Sequence, residues 1–201
     1  MKYDVVIVAS GKGERAKLGY NKVLYKLKNG RTVLEEASHL FIEDNDCVNI
    51  ILVTNEKVVT HQKIKYIDGG KKRYESVMKG LSLVTSDYVL IHDGARPFLT
   101  KKELEDLKKA LKNNDAALLA IKSTDTIKYS EDGFVSKTIN RNYVYRALTP
   151  QGFKTSLIKE AYKNVDENVT DDAEVVEKSG HKVKIVEGLS SNVKLTNPED
   201  F

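Results

Sequence analysis

The chain has 201 residues, 40% of them hydrophobic and 31% charged, which suits a single domain with its own core over residues 1–201. A net charge of +4, interspersed rather than blocked, permits a nucleic-acid surface without requiring one, and a local anion site explains the excess equally well. One cysteine, Cys47, excludes a disulfide framework and a cysteine metal cluster; with no apolar run of membrane-spanning length and a strand at the start where a signal peptide would lie, the protein is expected in the cytoplasm.

The first predicted element is a buried strand, Val5 to Val8. It breaks at Ser10-Gly11 into a loop with Gly11 and Gly13, which then presents Lys12, Arg15, Lys17 and Lys22. A strand running into a small-residue, cation-rich loop suits a triphosphate. Glycine lets the backbone approach the anion, turned N–H groups point at it, and lysine and arginine supply countercharge. The P-loop string G-x-x-x-x-G-K-[ST] does not occur. Gly11-x-Gly13-x-x-Ala16 matches the dinucleotide fingerprint, but that fold wants an acid at the end of the second strand, and here Asn49 to Val53 runs into Thr54-Asn55. A solvated glycine turn beside an ordinary basic surface stays open for this stretch taken alone.

Further along, Thr32-x-x-Glu35 has the form of a capping box and opens a helix with Leu34, Ala37 and Leu40-Phe41 on one stripe. Asn49 to Val53 and Ile64 to Ile67 read as strands. A second glycine loop, Asp68-Gly69-Gly70, leads through Arg73 and Ser76 into a helix with Val77, Leu81 and Val84 on one face. Tyr88 to His92 is a buried strand that stops at Asp93-Gly94-Ala95-Arg96-Pro97, and Thr100-x-x-Glu103 caps the next helix. Ala116 to Ile121 is one more apolar strand. This alternation predicts a Rossmann-like α/β fold, a mostly parallel sheet with helices on both faces. Ligands of such sheets sit beyond the carboxyl ends of the strands, so both glycine loops and the Asp93 loop converge on one rim.

From Ser123 to Tyr143 the pattern changes. Thr126 to Tyr129 and Val135 to Thr138 flank Glu131-Asp132-Gly133 and read as a hairpin with little to bury, an arm that projects and needs a partner surface. The chain returns through Ala147 to Gln151. A helix from about Ser156 to Asn164 follows, then an acidic one from Asp171 to Ser179 with Thr170 as N-cap, and strands at Lys182 to Glu187 and Asn192 to Leu195.

Asp93, just past a buried strand and opposite the cationic loop, is placed to hold Mg²⁺ on a nucleotide phosphate; capping a turn or pairing with Arg96 is the alternative. His92 is expected to make a structural hydrogen bond, Cys47 to be a core thiol, and the other histidines to show no ligand spacing. Asp171, Asp172 and Glu174 read as a helix start, where acids favour the dipole. Lys194 matters only if its segment returns to the rim, and Arg141 ends the hairpin.

Ala9, Gly11, Gly13, Arg15 and Lys22 together are similar to the nucleotide-binding loop of the sugar-nucleotidyltransferase-like pyrophosphorylases. In chain order, ASGKGER…NK, DGGKKRYESV, HDGARPF, TDTIK, NRNYVYRALTPQGF, VTDDA and NVKLTNPEDF resemble the 2-C-methyl-D-erythritol 4-phosphate cytidylyltransferase family over nearly the whole chain. The ribitol-5-phosphate cytidylyltransferases of teichoic acid synthesis share the loop, the HD-x-x-RPF block and the TPQ block. Asp125 to Lys128 and the Arg141 to Gln151 stretch lean toward the methylerythritol enzymes.

The resemblance implies CTP as co-substrate, Mg²⁺ as cofactor and a polyol phosphate as acceptor. It implies that Arg15, Lys22 and Lys194 are catalytic and hold the triphosphate, and that Ala9, Ser10, Gly11, Gly13, Gly70, Arg73 and Ser76 bind CTP. Asp93 would orient the metal and the substrate, and Arg96 and Thr170 would line the acceptor site. Thr126 and Arg141 would reach that site from the other subunit of a homodimer built through the 123–143 arm. The chain departs from the family pattern at Ala16, Asn21, Lys71 and Asp172, and it stops at Phe201, short of the last helix most members carry. A nucleotide-binding module without catalysis and a dinucleotide oxidoreductase are the rival classes.

Overall fold

The computed structural model describes residues 1–11 and 13–201. Continuous apolar runs form strands that need cover on both faces, and the sheet is built from them. It contains β1 (Tyr3–Val8), β2 (Cys47–Val53), β3 (Ile64–Ile67), β4 (Tyr88–Asp93), β5 (Ala116–Lys122), β8 (Tyr145–Lys154) and β9 (Lys184–Glu187), in the order β3-β2-β1-β4-β8-β5-β9. Every neighbouring pair is parallel except those of β8, which runs antiparallel between β4 and β5.

Alternation along β1 sorts the two cores. Val5 and Ile7 join Leu34, Phe41, Leu104 and Leu107, so α1 (Val33–Glu43) and α3 (Lys101–Leu111) cover one face. Val6 joins Val77, Leu81, Ile158 and Val176, so α2 (Arg73–Ser82), α4 (Thr155–Ala161) and α5 (Asp172–Lys178) cover the other. Both predicted capping boxes form. Thr32 Oγ1 accepts from the Glu35 N–H at 3.2 Å while Glu35 Oε2 accepts from the Thr32 N–H at 2.7 Å, and Thr100 and Glu103 repeat the exchange at 3.3 and 3.0 Å.

The arm is a separate two-stranded antiparallel sheet of β6 (Ile127–Tyr129) and β7 (Lys137–Ile139), closed at its base by Ser123 N–H donating to the Val144 carbonyl at 2.9 Å. Its tip leaves Phe134 77% exposed, and Tyr143 at its root is 82% exposed. No helix among the described residues is long and apolar enough to cross a membrane.

Four local expectations need correction. The sequence reads Ala147 to Gln151 as a returning chain, whereas it is the middle of the ten-residue strand β8. Proline argues against a central strand, but Pro150 falls where the β5–β8 register is irregular, between the Gln151 and Ala147 pairings, and there its missing N–H costs little. Asn192 to Leu195 is no strand; a single backbone bond, Leu195 N–H to the Ala95 carbonyl at 2.9 Å, docks it beside β4. The N-cap of α5 is Asp171, whose side chain accepts from the Glu174 N–H at 2.9 Å, and Thr170 lies outside the helix. The helix predicted to reach Asn164 ends as α-helix at Ala161 and continues as a 3-10 turn, Tyr162–Asn164.

Helix α2 seats on the sheet through Gly80, where an added Cβ would collide with Val6 Cγ1 and lie 3.0 Å from Val53 Cγ2, both on stiff β-branched side chains. A Gly80→Ala protein gains up to about 1 kcal/mol of helix propensity and loses roughly 1–3 kcal/mol to overpacking, so the expected net is destabilisation. A thermal midpoint at or above wild type would show that the helix can slide off the sheet without cost.

Candidate active site

The carboxyl ends of β1, β2, β3 and β4 are laced together before any side chain acts. Ala9 N–H donates to the Val53 carbonyl at 2.9 Å, Thr54 N–H to the Ile67 carbonyl at 3.0 Å, and Gly94 N–H to the Val8 carbonyl at 2.9 Å. The two glycine loops then meet. A Cβ at Gly69 would overlap the Ser10 side chain, so that approach requires glycine. Ser76 Oγ accepts from the Gly70 N–H at 2.9 Å and donates to the Lys72 carbonyl at 3.2 Å, which leaves Ser10 Oγ to donate to it at 3.0 Å. Ala9, Ser10, Gly70 and Ser76 therefore form one small-residue floor.

Beside it lie the cations. Arg15 stands on the 3-10 turn Glu14–Ala16, and Lys22 begins another, Lys22–Leu24, which Asn21 caps by accepting from the Val23 N–H at 3.3 Å. Gly13, with φ 71°, backs onto Lys22, 3.1 Å from its backbone nitrogen to where a Cβ would sit. Lys22 Nζ donates to the Leu195 carbonyl at 2.8 Å. Burial, then the repulsion of Lys194 and Arg15, lowers its pKa.

Asp93 is the negative centre of the rim. Lys194 Nζ lies 2.8 Å from it, Arg96 Nε 3.5 Å and Arg73 Nη2 3.7 Å. Burial alone would raise its pKa, but Lys194, Arg73 and Arg96 hold it well below the usual carboxylate range. Arg73 also makes a bidentate pair with Asp172 at 3.0 and 2.7 Å, and Tyr162 Oη donates to the same fully buried carboxylate at 2.6 Å.

A proton chain fixes the backbone at Asp93. Thr149 Oγ1 accepts from the Asp93 N–H at 3.0 Å and faces His92 Nδ1 at 2.9 Å, while His92 Nε2 faces the Arg96 carbonyl at 3.1 Å. A carbonyl only accepts, so Nε2 carries the proton and Nδ1 accepts from Thr149. The imidazole is neutral and fully buried, and burial pushes its pKa down to about 4.

Of the predicted residues, the structure gathers Ala9, Ser10, Gly13, Arg15, Lys22, Gly70, Arg73, Ser76, Asp93, Arg96 and Lys194 at this rim, with Gly11 exposed at its edge. Arg73, grouped by the sequence with Gly70 and Ser76, directs its guanidinium to Asp172 and Asp93. Lys12 lies outside the described residues. Thr126 and Arg141 stand on the arm, Arg141 donating to the Thr124 carbonyl at 2.8 Å. Thr170 is exposed and donates to Glu174 at 2.9 Å. The sequence reading gives no part in the site to Thr149, Gln151, Asp172 and Asn192. Asp172 is read as a mere helix start, because its partner Arg73 lies 99 residues away.

Among the described residues no group of three or more His, Cys, Asp or Glu side chains is arranged to hold a metal. One carboxylate among cations does not make a protein cage for an ion. It does suit Mg²⁺ that arrives on nucleotide phosphates, which commonly takes one or two carboxylates from the protein.

A mostly parallel sheet whose strand ends carry a small-residue floor, with cations collected against one carboxylate, defines a nucleotidyltransferase class of site. The family described as "IspD: 2-C-methyl-D-erythritol 4-phosphate cytidylyltransferase" matches residues 3–201. The enzyme of that name from Halalkalibacterium halodurans is 38% identical over 216 residues, covering 100% of this chain and 94% of the relative, and that from Geobacillus kaustophilus is 39% identical with the same coverage. The solved 4-diphosphocytidyl-2C-methyl-D-erythritol synthase of Anaerococcus prevotii superposes with a TM-score of 0.87 at 32% identity, covering 99% of this chain and 94% of that one. The 2-C-methyl-D-erythritol 4-phosphate cytidylyltransferase of Francisella tularensis gives 0.87 at 29%, covering 100% and 96%. The chain belongs to the 2-C-methyl-D-erythritol 4-phosphate cytidylyltransferase family, whose members are CTP-dependent nucleotidyltransferases.

The neutral His92 makes the rim acid-sensitive. Its folded pKa of about 4 lies below the ordinary 6.5, so the unfolded chain binds the extra proton between those values. The contribution is complete above pH 6.5 and is lost as pH falls toward 4, a span worth about 3 kcal/mol. In His92→Gln the fall in urea midpoint over this range should be shallower than in wild type. Equal slopes would mean that His92 does not report the folded state.

Proposed function

We propose that this rim transfers CMP from CTP to 2-C-methyl-D-erythritol 4-phosphate, giving 4-diphosphocytidyl-2-C-methyl-D-erythritol and pyrophosphate in the non-mevalonate route to isoprenoid precursors. Family membership over the whole chain supports the reaction. The observation that carries the site is Lys22, half-buried, held by a neutral carbonyl and repelled by Lys194 and Arg15. Cations crowded this way are stabilised by a polyanion, and a triphosphate is one.

An oxygen of the acceptor's phosphate attacks the α-phosphorus of CTP in line. The bond from that phosphorus to the β-phosphate's bridging oxygen breaks, and pyrophosphate leaves with the electron pair. The nucleophile is already an anion at neutral pH, so the site needs no general base. Its task is to bring two polyanions together and to meet the charge that builds on the α-phosphoryl and leaving oxygens. Arg15 and Lys22 would grip the triphosphate, with Lys194 near the α-phosphate. The floor of Ala9, Ser10, Gly70 and Ser76, with Gly11 and Gly13 beside it, would take the nucleoside side. Arg96 and Arg73, both held at Asp93, would meet the acceptor phosphate, with Thr170 proposed to join them. Mg²⁺ bound with CTP, held from the protein by Asp93, would supply further countercharge.

The arm is proposed to pair with a second copy of the chain. Exposed Phe134, Val135 and Tyr143 support this, as does the absence of rim contacts from Thr126 and Arg141 among the described residues, which would serve the partner's acceptor site. Sedimentation should give twice the 22.6 kDa of one chain. The cytoplasm, where CTP is made, is the proposed compartment.

Pyrophosphate release from CTP and Mg²⁺ tests the reading with two acceptors side by side. It should occur with methylerythritol 4-phosphate and not with ribitol 5-phosphate; the reverse preference would assign the protein to teichoic acid synthesis. Lys22→Ala should lower kcat roughly 100-fold or more, the scale of a lost transition-state donor. A folded Lys22→Ala enzyme with near-full turnover would remove that lysine from the mechanism.

A further inference from the structure

The loop that brings Lys194 to the rim has no strand pairing to hold it, yet its position is fixed from inside the protein. Glu103 lies at the start of α3 and is 2% exposed. Its Oε2 accepts from the Thr100 N–H at 3.0 Å and from the Thr100 hydroxyl at 2.8 Å, which is the helix cap. Its Oε1 faces the opposite way and accepts from the Leu189 N–H at 2.9 Å and from Asn192 Nδ2 at 3.3 Å. Asn192 is fully buried, donates also to the Thr149 carbonyl at 3.0 Å, and offers its own carbonyl to Arg96 Nη1 at 2.8 Å. Two residues later Lys194 reaches Asp93, and Leu195 takes the Lys22 ammonium on its carbonyl.

We propose that Glu103, acting through Asn192, is a positioning residue for the transfer step: one carboxylate caps α3 with one oxygen and with the other anchors the loop that aims Lys194 and steadies Lys22. The inference rests on the roles proposed above for those two lysines. Glu103 touches neither substrate nor the reacting atoms. All four bonds of its carboxylate are accepted, so Glu103→Gln keeps the volume but exchanges one accepting oxygen for a donor, and at least one end must let go. A shift of the loop by a fraction of an ångström misplaces the ammonium groups at the moment charge develops.

Three variants separate anchoring from ordinary stability. Thr100→Ala removes the cap alone and should lower the thermal midpoint with kcat unchanged. Glu103→Gln should lower kcat roughly 10- to 100-fold, with KM for CTP much less affected. In a Lys194→Ala background, Glu103→Gln should cost clearly less turnover than it does in the wild type, because one of the two side chains the loop places is already gone. Full multiplication of the two losses, or a Glu103→Gln enzyme that is folded and turns over as wild type, would overturn the anchor. Full turnover from Lys194→Ala alone would remove the role proposed for that lysine and the anchor with it. Should Glu103→Gln not fold, Asn192→Ser, which leaves the cap intact, carries the same comparison.

Discussion

Asp93 holds the rim together because its carboxylate is shared. Arg73 comes from α2, Arg96 from the turn after β4 and Lys194 from the C-terminal loop, so one buried anion ties three separate segments to the end of the central strand. A carboxylate in this position is strongly desolvated, and only good ionic contacts offset that cost. Without it Lys194 and Arg96 would lose their carboxylate partner, while Arg73 would keep Asp172, a loss on the scale of about 3–5 kcal/mol for a broken buried pair. In the proposed reaction the same contacts would serve the chemistry: with the cations already in place, little reorganisation would remain for the moment of reaction.

The antiparallel strand β8 makes this possible. Because it runs between β4 and β5, it carries Thr149 to the Asp93 backbone and Gln151 to the start of α5, where Gln151 accepts from the Ala173 N–H at 2.9 Å and donates to Asp171 at 2.8 Å. Asp171 is thereby fixed as the cap, and Asp172, the next residue, is turned inward onto Arg73 and Tyr162. A polar strand segment at the centre of an apolar sheet is costly unless every group is paired. Here the pairing orders both Arg73 and the turn that bears Asp93.

Much of this architecture is legible in the chain. The apolar runs of β1 to β5 and the two Thr-x-x-Glu boxes announce the alternation, and that alternation predicts where the glycine loops and Asp93 meet. The arm is also legible, because its runs are too polar to bury themselves. What local pattern cannot supply is pairing across long separations. Ala147 to Gln151 reads only as a returning chain, because its value as a strand lies in the neighbours on both sides. Asp172 has the address of a dipole-stabilising acid, and only Arg73 from another helix changes its meaning. For Lys194 the strand expectation fails while the position holds, since an irregular loop delivers it to the rim.

That irregularity has a physical use. A paired strand would engage its carbonyls in the sheet, whereas this loop leaves the Asn192 carbonyl for Arg96 and the Leu195 carbonyl for Lys22. A carbonyl dipole holds a cation in place without cancelling its charge, and a carboxylate cancels as it holds. Had acids taken these positions, the rim would approach neutrality and attract a triphosphate far less. With one carboxylate at the centre and neutral oxygens behind Lys22 and Arg96, the site fixes its geometry and keeps the excess positive charge that a polyanionic substrate pair requires.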